Sequence, residues 1–331
     1  MNAPAPALRR AADSLSTRLH GWFCVGLSHE LKAGEVRAVR LFGEDRVLFR
    51  TASGRAVLLD AHCPHLGAHL GHGGQVVGER LLCPFHRFEF DVDGHCAGTA
   101  CNSRAPRGSS VHKHILEDIG GLLLVWVDPL RRAPLFDLPD WELDHHSPIR
   151  GGCTRVATHP QETSENSVDL SHFDHIHGYT DVEVARPAEV DGPHLSVTYR
   201  MRRPTPGLPP QLAVPAEFEV NVWGLGLSIV TIRVPPLQVR LFVLATPTEP
   251  GHIDLRAATQ VRLGPRLSRS RAAGLSARLL NRLVLHGVLH DVEQDRRMWE
   301  HKRYEPVPRV VRGDGAIGRY RQYVRQFYVS E

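Results

Sequence analysis

Hydrophobic and polar positions alternate along much of the first 130 residues. Four segments have the pattern of β-strands, and they comprise residues 36–40, 46–50, 56–60 and the wholly apolar 122–127. This pattern predicts a small antiparallel β domain that ends near Asp128-Pro129. Residues 131–152 are rich in proline and charge, so we expect a linker there.

The second half of the chain predicts a larger sheet and one long helix. Residues 217–223 and 225–234 alternate as strands with an apolar face. Residues 281–304 carry apolar side chains at helical spacing, which predicts a long helix. At roughly 150 residues per domain, a chain of 331 residues is long enough for two domains.

Composition narrows the classes of function. The chain has 40 Lys and Arg against 36 Asp and Glu, and its arginines are scattered rather than gathered on the single stripe that a nucleic-acid binder needs. Its longest apolar run, residues 122–127, is far shorter than the ~20 residues that span a bilayer. Arg9-Arg10 precedes residues 11–14, Ala-Ala-Asp-Ser, instead of the apolar stretch of an export signal. We therefore expect no nucleic-acid partner, no membrane span and a cytoplasmic location.

Two mixed cysteine and histidine pairs form the first candidate metal site. Cys63-Pro-His65 and Cys83-Pro-Phe-His86 have the spacing C-x-H-x17-C-x2-H. Zinc sites usually pair C-x2-4-C with H-x3-5-H, although two thiolates and two imidazoles would also bind zinc. A Rieske [2Fe-2S] cluster takes both cysteines on one iron and both histidines on the other. We therefore predict that Cys63 and Cys83 bind one iron, and that His65 and His86 bind the second.

Other cysteines and histidines near these motifs lie outside the ligand spacing. We expect local hydrogen bonds or solvation for four histidines, namely His62, His69, His72 and His95. Cys96 and Cys101 have the spacing of a possible metal pair, but small buried cysteines are the commoner case.

A second constellation has the form Asn166-x2-Asp169-x2-His172-x4-His177. At ~100° per residue, the first three residues share one broad helical face, whereas His177 lies about 140° from His172. The helix must therefore loosen near Gly178 for both imidazoles to reach one ion. Two histidines and one carboxylate are the ligands that non-heme Fe(II) takes in oxygenases.

The carboxylate of this site has to come from another part of the chain. The predicted C-terminal helix offers Asp291, Glu293 and Asp295, and position on the helix does not choose between them. His175 lies between His172 and His177 in the sequence and is an alternative histidine ligand of the metal.

Together the two motifs resemble the oxygenase component of Rieske non-heme iron monooxygenases, over roughly residues 20–331. The resemblance implies an α+β fold, with an N-terminal antiparallel β Rieske domain at residues 20–130 and a helix-grip, START-like catalytic domain at residues 150–331. It implies that His172 and His177 bind the mononuclear iron. The segment from Glu293 to Lys302 looks like the family's ED-x-x-I-W-x-x-K pattern, which selects Asp295 as the third ligand. Asn166 and Asp169 would be catalytic residues beside them.

The length of the chain resembles that of the short homotrimeric members of this family. In such trimers the cluster of one subunit sits against the catalytic iron of the next. Asp169 would therefore bridge His86 of the neighbouring subunit and His172 of its own subunit. Arg87-Phe88 stand where the family often has Gly and Trp, and Arg87 is expected to affect the potential of the cluster or the docking of the reductant.

The chain has no G-x-G-x-x-G fingerprint that would bind its own dinucleotide. Electrons from NAD(P)H are therefore expected to arrive indirectly, through a separate ferredoxin or a flavin-containing reductase.

Residues 298–304 and 315–328 look most like 3-ketosteroid 9α-hydroxylases and cholesterol 7-desaturases. This resemblance implies O2-dependent hydroxylation or desaturation of a bulky, apolar, steroid-like small molecule. Residues 190–262 would line the cavity, although an ordinary core face has the same pattern. Two alternatives are oxidation of an aromatic natural-product intermediate, by O-demethylation or arylamine N-oxygenation, and a Rieske electron carrier with a binding domain attached.

Overall fold

The structure is a computed structural model that describes residues 15–99, 105–141, 146–203, 213–264, 271–311 and 313–330, with the backbone alone at residues 271–273. It divides into two compact units. The first is Phe23–Trp126, and the second combines residues 15–22 with residues 127–330. Cys101 lies outside the described residues. The five described cysteines are all free thiols.

The first unit is built from short antiparallel strands. Their bounds are β1 (Gly21–Leu27), β2 (Val36–Leu41), β3 (Glu44–Arg50), β4 (Ala56–Asp60), β5 (Gln75–Val77), β6 (Arg80–Leu82), β7 (Glu89–Phe90), β8 (Cys96–Gly98), β9 (Leu116–Ile119) and β10 (Leu122–Val127). They form three sheets with the orders β1-β10-β9, β2-β3-β4 and β5-β6-β7-β8. A short 3-10 helix, Ser28–Glu30, follows β1. All four strands predicted from the alternation are confirmed.

The core of this unit explains where the two cysteine loops begin. Val47 and Phe49, two residues apart on β3, point to the same face and are fully buried. They belong to one apolar cluster with Phe90, and Cys63 and Cys83 are part of the same cluster. Each predicted cluster loop therefore starts from a cysteine that is fixed in the core.

The second unit contains one seven-stranded antiparallel sheet. Its strands are β11 (Arg150–Val156), β12 (Thr180–Asp191), β13 (His194–Arg203), β14 (Val214–Trp223), β15 (Leu227–Val234), β16 (Leu237–Glu249) and β17 (His252–Leu263). Their order is β11-β17-β16-β15-β14-β13-β12. The strands predicted at residues 217–223 and 225–234 are confirmed. The predicted linker is wrong at its end, because β11 begins at Arg150 and pairs with β17.

The described residues of the second unit also form four α-helices. They are α1 (Pro160–Glu165), α2 (Leu170–His175), α3 (Arg271–His301) and α4 (Ile317–Val324), with a 3-10 turn at Arg325–Phe327. The long helix α3 begins ten residues before the predicted start, since residues 271–280 are mostly Ala, Leu and Arg, which favour helix. No helix among the described residues is long and apolar enough to cross a membrane.

The prediction that Asn166, Asp169 and His172 share one helix is wrong. The chain leaves α1 at Glu165, and Asn166 is its C-cap residue. Asp169 then caps the start of α2 with its carboxylate. Asn, Ser, Val and Asp are weak helix formers, and a free Asp carboxylate favours a new N-terminus over a helix interior.

Helix α3 packs along the sheet edge formed by β17 and β11. Asn281 is fully buried there, where it accepts a hydrogen bond from the Thr259 hydroxyl at 2.7 Å and donates to the Thr259 and Pro148 carbonyls. A Cβ at Gly152 of β11 would lie 3.2 Å from Leu289, so the small residue allows close approach of the helix. This helix-on-sheet arrangement agrees with the expected helix-grip fold.

Candidate metal centres

The two predicted cluster loops have the same backbone hydrogen bonds. In the first loop, Cys63 N–H donates to Ala68 O at 2.9 Å and Gly67 N–H donates to Cys63 O at 2.8 Å. In the second, Cys83 N–H donates to Phe88 O at 2.8 Å, and the amide after His86 donates to Cys83 O at 3.2 Å. Each turn thus places its histidine two or three residues after a buried cysteine.

Arg87 occupies in the second loop the position that Gly67 occupies in the first. Gly67 has φ +76° and Arg87 has φ +56°, the left-handed region that most residues avoid. The guanidinium of Arg87 is exposed and donates to Gln75 Oε1 at 3.3 Å. The departure from the family's usual glycine at this position therefore has a conformational cost.

The four predicted cluster ligands lie as two pairs, one of cysteines and one of histidines, each with one member from each loop. Cys63 and Cys83 are 2% and 1% exposed, and burial together with the adjacent Cys83 thiol raises the pKa of Cys63 to about 11. The rings of His65 and His86 lie 4.6 Å apart between centroids, and the His65 ring stacks on Phe88. Burial thus disfavours a thiolate at Cys63 unless a cation lies beside it. This donor set suits a cluster whose iron stabilises both thiolates.

The remaining histidines of this region make local contacts, as expected. His62 Nδ1 lies 3.2 Å from Gly67 O, and His69 Nδ1 accepts from Gly71 N–H at 3.0 Å. The His72 ring lies tilted against that of His69, with 4.4 Å between centroids, and His95 is exposed.

The second centre is formed by His172 on α2, His177 beyond it and Asp295 on α3. Helix α2 ends at His175 and Gly178 has φ +67°, so the chain turns as predicted and brings both imidazoles together. The two Nε2 atoms are 2.9 Å apart. Asp295 Oδ1 lies 3.4 Å from His172 Nε2, and Asp295 Oδ2 lies 3.4 Å from His177 Nε2.

The electrostatics of this group are those of a buried charge cluster. Burial alone would lower the pKa of His177, but the hydrogen bond and charge of Asp295 outweigh it and raise that pKa. Burial alone would raise the pKa of Asp295, but hydrogen bonds from His172 and His177 hold that pKa below its usual value. Two imidazoles and one buried carboxylate directed at a common point match the ligands of a non-heme Fe(II) site.

The outer nitrogen of each imidazole contacts an oxygen. His172 Nδ1 lies 3.2 Å from the backbone carbonyl of Asp169, and His177 Nδ1 lies 3.0 Å from Gln294 Oε1. Sequence reasoning did not identify Gln294, although its position directly before Asp295 was visible. The Asp169 carboxylate accepts from His172 N–H at 3.2 Å and from the Ser171 hydroxyl.

The alternative ligands that the sequence left open lie elsewhere. Asp291 accepts from Arg203 at 2.8 Å and from the Tyr179 hydroxyl at 3.2 Å. Glu293 pairs with Arg296 on the outer face of α3, at 2.6 Å. His175 is exposed at the end of α2.

Besides His172, His177 and Asp295, the described residues hold one other group of three side chains whose possible ligand atoms lie close together. It consists of Asp91, Asp93 and His95. These side chains are largely exposed, and Asp93 already pairs with Lys113 at 2.8 Å.

Comparison with known proteins bears on both centres. Residues 21–114 match the family model of the Rieske [2Fe-2S] domain, and residues 125–328 match that of the 3-ketosteroid 9alpha-hydroxylase C-terminal domain. The chain belongs to the 3-ketosteroid 9α-hydroxylase family of Rieske oxygenases. As a member of this family it is an oxygenase component, with a Rieske [2Fe-2S] cluster, a mononuclear iron and a separate reductase or ferredoxin as its electron donor.

Relatives of this Rieske oxygenase include enzymes named for steroid substrates. It is 30% identical to the cholesterol 7-desaturase nvd of Drosophila melanogaster, over 94% of this chain and 75% of that protein. It is 24% identical to a 3-ketosteroid-9-alpha-monooxygenase oxygenase component of Rhodococcus rhodochrous, over 94% of this chain and 84% of that one.

Solved structures agree on the fold of the Rieske oxygenase. The NdmA QL mutant of Pseudomonas putida CBB5 with theobromine aligns with a TM-score of 0.70 at 20% identity, covering 92% of this chain and 89% of that one. Dicamba monooxygenase bound to dicamba aligns with a TM-score of 0.67 at 17% identity, covering 95% and 98%.

Proposed function

We propose that this oxygenase hydroxylates or desaturates a bulky apolar, steroid-like small molecule at an iron held by His172, His177 and Asp295. The observation that carries the proposal is the convergence of these three side chains, which come from two helices and a loop, around the buried Asp295. With iron bound there, such a site supplies O2-dependent oxidation of a neighbouring substrate. Cys63, His65, Cys83 and His86 are the proposed cluster ligands.

The surroundings of the triad support an apolar substrate. Aromatic rings follow one another from the histidines into the sheet: Phe173 lies 4.7 Å from the His172 ring and 5.3 Å from Tyr199, and Tyr179 lies 5.7 Å from His177 and 5.8 Å from Phe218. These rings give the site an apolar side, which favours contact with an apolar ligand. The relatives named for cholesterol and 3-ketosteroids favour the same class.

Product analysis tests the substrate class. Purified protein is incubated with a surrogate ferredoxin, its reductase and NAD(P)H, together with a panel of sterols, ketosteroids and methoxyarenes. Mass spectrometry should show addition of one oxygen or loss of two hydrogens in sterols or ketosteroids. Turnover of methoxyarenes alone would instead support the aromatic natural-product alternative.

Iron counting tests the ligand set. The wild type should contain about three irons per chain, two in the cluster and one mononuclear. His172→Ala, His177→Ala and Asp295→Ala should each contain about two, lose turnover and keep the visible absorbance of the cluster. Cys63→Ser should lose that absorbance.

Asp291→Ala is the matched control on the same helix, since its carboxylate contacts Arg203 and Tyr179. It should keep the third iron. Loss of this iron from Asp291→Ala but not from Asp295→Ala would reassign the carboxylate.

We further propose a cytoplasmic homotrimer in which Asp169 bridges His86 of one subunit and His172 of its neighbour. The chain length and the D-x-x-H-x4-H motif support it. The Asp169 carboxylate lies at the first turn of α2, beside His172. The carboxylate holds its own His172 through the backbone N–H, and it can accept a further N–H hydrogen bond from the His86 imidazole of the neighbouring subunit.

Asp169→Asn tests the bridge without removing the helix cap, because Asn caps helices as well as Asp does. We expect the variant to keep both metals and the trimer, and to reoxidise the reduced cluster more slowly in single turnover. Asp174→Asn, an exposed position on the same helix, serves as the control for loss of charge. Unchanged reoxidation in Asp169→Asn, or full activity in a monomer, would contradict the bridge.

A further inference from the structure

The two iron-binding histidines proposed above are fixed by acceptors of different kinds. Each turns its Nε2 atom toward the other, and each turns its Nδ1 atom toward an oxygen. For His172 the acceptor is the backbone carbonyl of Asp169, which no substitution removes. For His177 it is the side chain of Gln294, at 3.0 Å.

The acceptor decides which nitrogen can bind a metal. A neutral imidazole carries one N–H, and a metal binds the nitrogen that has the free lone pair. An amide oxygen can only accept, so its contact with His177 Nδ1 fixes the proton there. The lone pair of Nε2 then faces Asp295 and His172. The other tautomer would place a proton between the two imidazoles, where the cation has to bind.

The position of Gln294 on α3 makes this contact specific. Successive residues on a helix are rotated by ~100°, so Glu293, Gln294 and Asp295 point in three directions. Glu293 pairs with Arg296 on the outer face, Asp295 meets both Nε2 atoms, and Gln294 reaches the far side of the His177 ring. Two consecutive residues of α3 therefore hold His177 from both sides.

We propose that Gln294 is a positioning residue for the mononuclear iron, which fixes the tautomer and ring orientation of His177 while adding no charge. The inference rests on the proposed ligand set. A carboxylate in the same place would hold the ring equally well but would bring a second negative charge next to Asp295. The neutral amide leaves one anionic ligand at the site, which favours Fe(II) over Fe(III) relative to a two-carboxylate environment.

Fe(II) titration of protein that retains its Rieske cluster but lacks mononuclear iron tests the positioning role. Gln294→Met keeps the length of the side chain without its acceptor, and we expect Fe(II) to bind about 10- to 100-fold more weakly. Gln294→Glu restores an acceptor and should bind Fe(II) at least as tightly as the wild type. Glu293→Gln, at the neighbouring outward-facing position, should leave the Fe(II) affinity unchanged. Cluster absorbance and thermal unfolding report whether each variant is folded.

Gln294→Met and Gln294→Glu together also separate the positioning role of Gln294 from the effect of its charge. Gln294→Glu should shift the midpoint potential of the mononuclear iron to more negative values, which an EPR-monitored redox titration of the high-spin ferric signal measures. Wild-type Fe(II) affinity in Gln294→Met, or an unchanged potential in Gln294→Glu, would overturn the inference.

The His177→Ala variant distinguishes failure of the proposal for Gln294 from failure of the proposed ligand set. If that variant keeps the third iron, the proposed function has the wrong ligands. If it loses the iron while Gln294→Met binds iron normally, only the role of Gln294 is wrong.

Discussion

Arg87 is held in a left-handed backbone conformation beside two proposed cluster ligands. The equivalent position of the other loop is Gly67, which adopts this conformation without steric cost. For a residue with a Cβ the cost is about 1–2 kcal/mol. Strain of this kind persists where the surrounding structure imposes it. Here the Cys83 N–H donates to Phe88 O, and the Cys83 carbonyl accepts from Arg87 N–H, which closes the turn.

We expect Arg87→Gly to stabilise the protein by about 0.5–1 kcal/mol, because relief of the left-handed conformation exceeds the extra entropy of glycine in the unfolded chain. Thermal unfolding followed by the visible absorbance of the cluster measures the change. Arg55→Gly is the control, since Arg55 is also exposed but lacks a positive φ, and it should be destabilising. Lower stability of Arg87→Gly would mean that the guanidinium contact with Gln75 outweighs the strain.

At the scale of one element, α1 is unusual because all six of its residues are buried. His159 caps it: Nδ1 accepts from Gln161 N–H at 3.1 Å, and Nε2 donates to Ser16 O at 3.2 Å. This pair of contacts requires a neutral imidazole, since a protonated Nδ1 cannot accept. Burial of His159 lowers its pKa to about 4.

This lowered pKa predicts loss of stability in acid. Above pH 6.5 the imidazole is neutral in both the folded and unfolded states. As pH falls from about 6.5 to about 4, the unfolded chain gains a proton that the folded chain does not, which costs up to about 3 kcal/mol of folding free energy. Urea unfolding at several pH values measures this dependence.

The His159→Asn variant isolates the contribution of the imidazole, because Asn caps a helix but does not titrate. It should be less stable than the wild type at pH 7.5, by about 1 kcal/mol, and the order should reverse before pH 4, because only the wild type loses stability as the unfolded chain takes up a proton. A constant difference across this range would show that His159 titrates normally.

At the scale of the whole second unit, the C-terminal tail holds α1 in place. Arg321 on α4 donates to both Glu165 oxygens, at 2.7 and 3.1 Å, and these side chains are 14% and 8% exposed. The Tyr320 hydroxyl donates to Gln161 O at 2.9 Å, and Lys302 pairs with the buried Glu162 at 2.7 Å. Burial raises the pKa of Glu162 despite this partner. The segment that leads from α1 to the proposed iron ligands is thus fixed by residues more than 130 positions away.

Removal of one charge from the Arg321–Glu165 pair should destabilise the protein more than removal of both charges. We expect Arg321→Met to destabilise the protein by about 3–5 kcal/mol, because it leaves the Glu165 carboxylate buried without a partner. The double variant Arg321→Met with Glu165→Gln should recover at least part of this loss. A double-mutant cycle from denaturant unfolding measures the coupling.

Arg303→Met is the control for the loss of one arginine. Its partner Glu305 is about as exposed as Arg303 itself, so little change is expected. If the double variant were as unstable as the sum of the two single variants, Glu165 and Arg321 would not be coupled.

The sequence alone determined the features that depend on local spacing. Alternation predicted six strands that the structure contains, since the period of a half-buried strand is visible in the chain itself. The spacing C-x-H-x17-C-x2-H identified the cluster motif, and Gly178 marked where the backbone leaves the helix. Prediction was less successful at boundaries. The start of α3 was placed too late, because helix-favouring residues extend it beyond the apolar periodicity. The break between α1 and α2 was missed, because capping by Asp169 competes with helical periodicity there.

Only the tertiary structure decided which distant groups meet. Asp291 and Asp295 lie one turn apart on the same side of α3, so helix position cannot separate them as ligands. Arg203, 88 residues away, pairs with Asp291, whereas Asp295 faces the two histidines. Gln294 acquires its contact with His177 in the same way, across 117 residues. Such partners depend on how α3 packs against the sheet, and no local pattern in the chain encodes that packing.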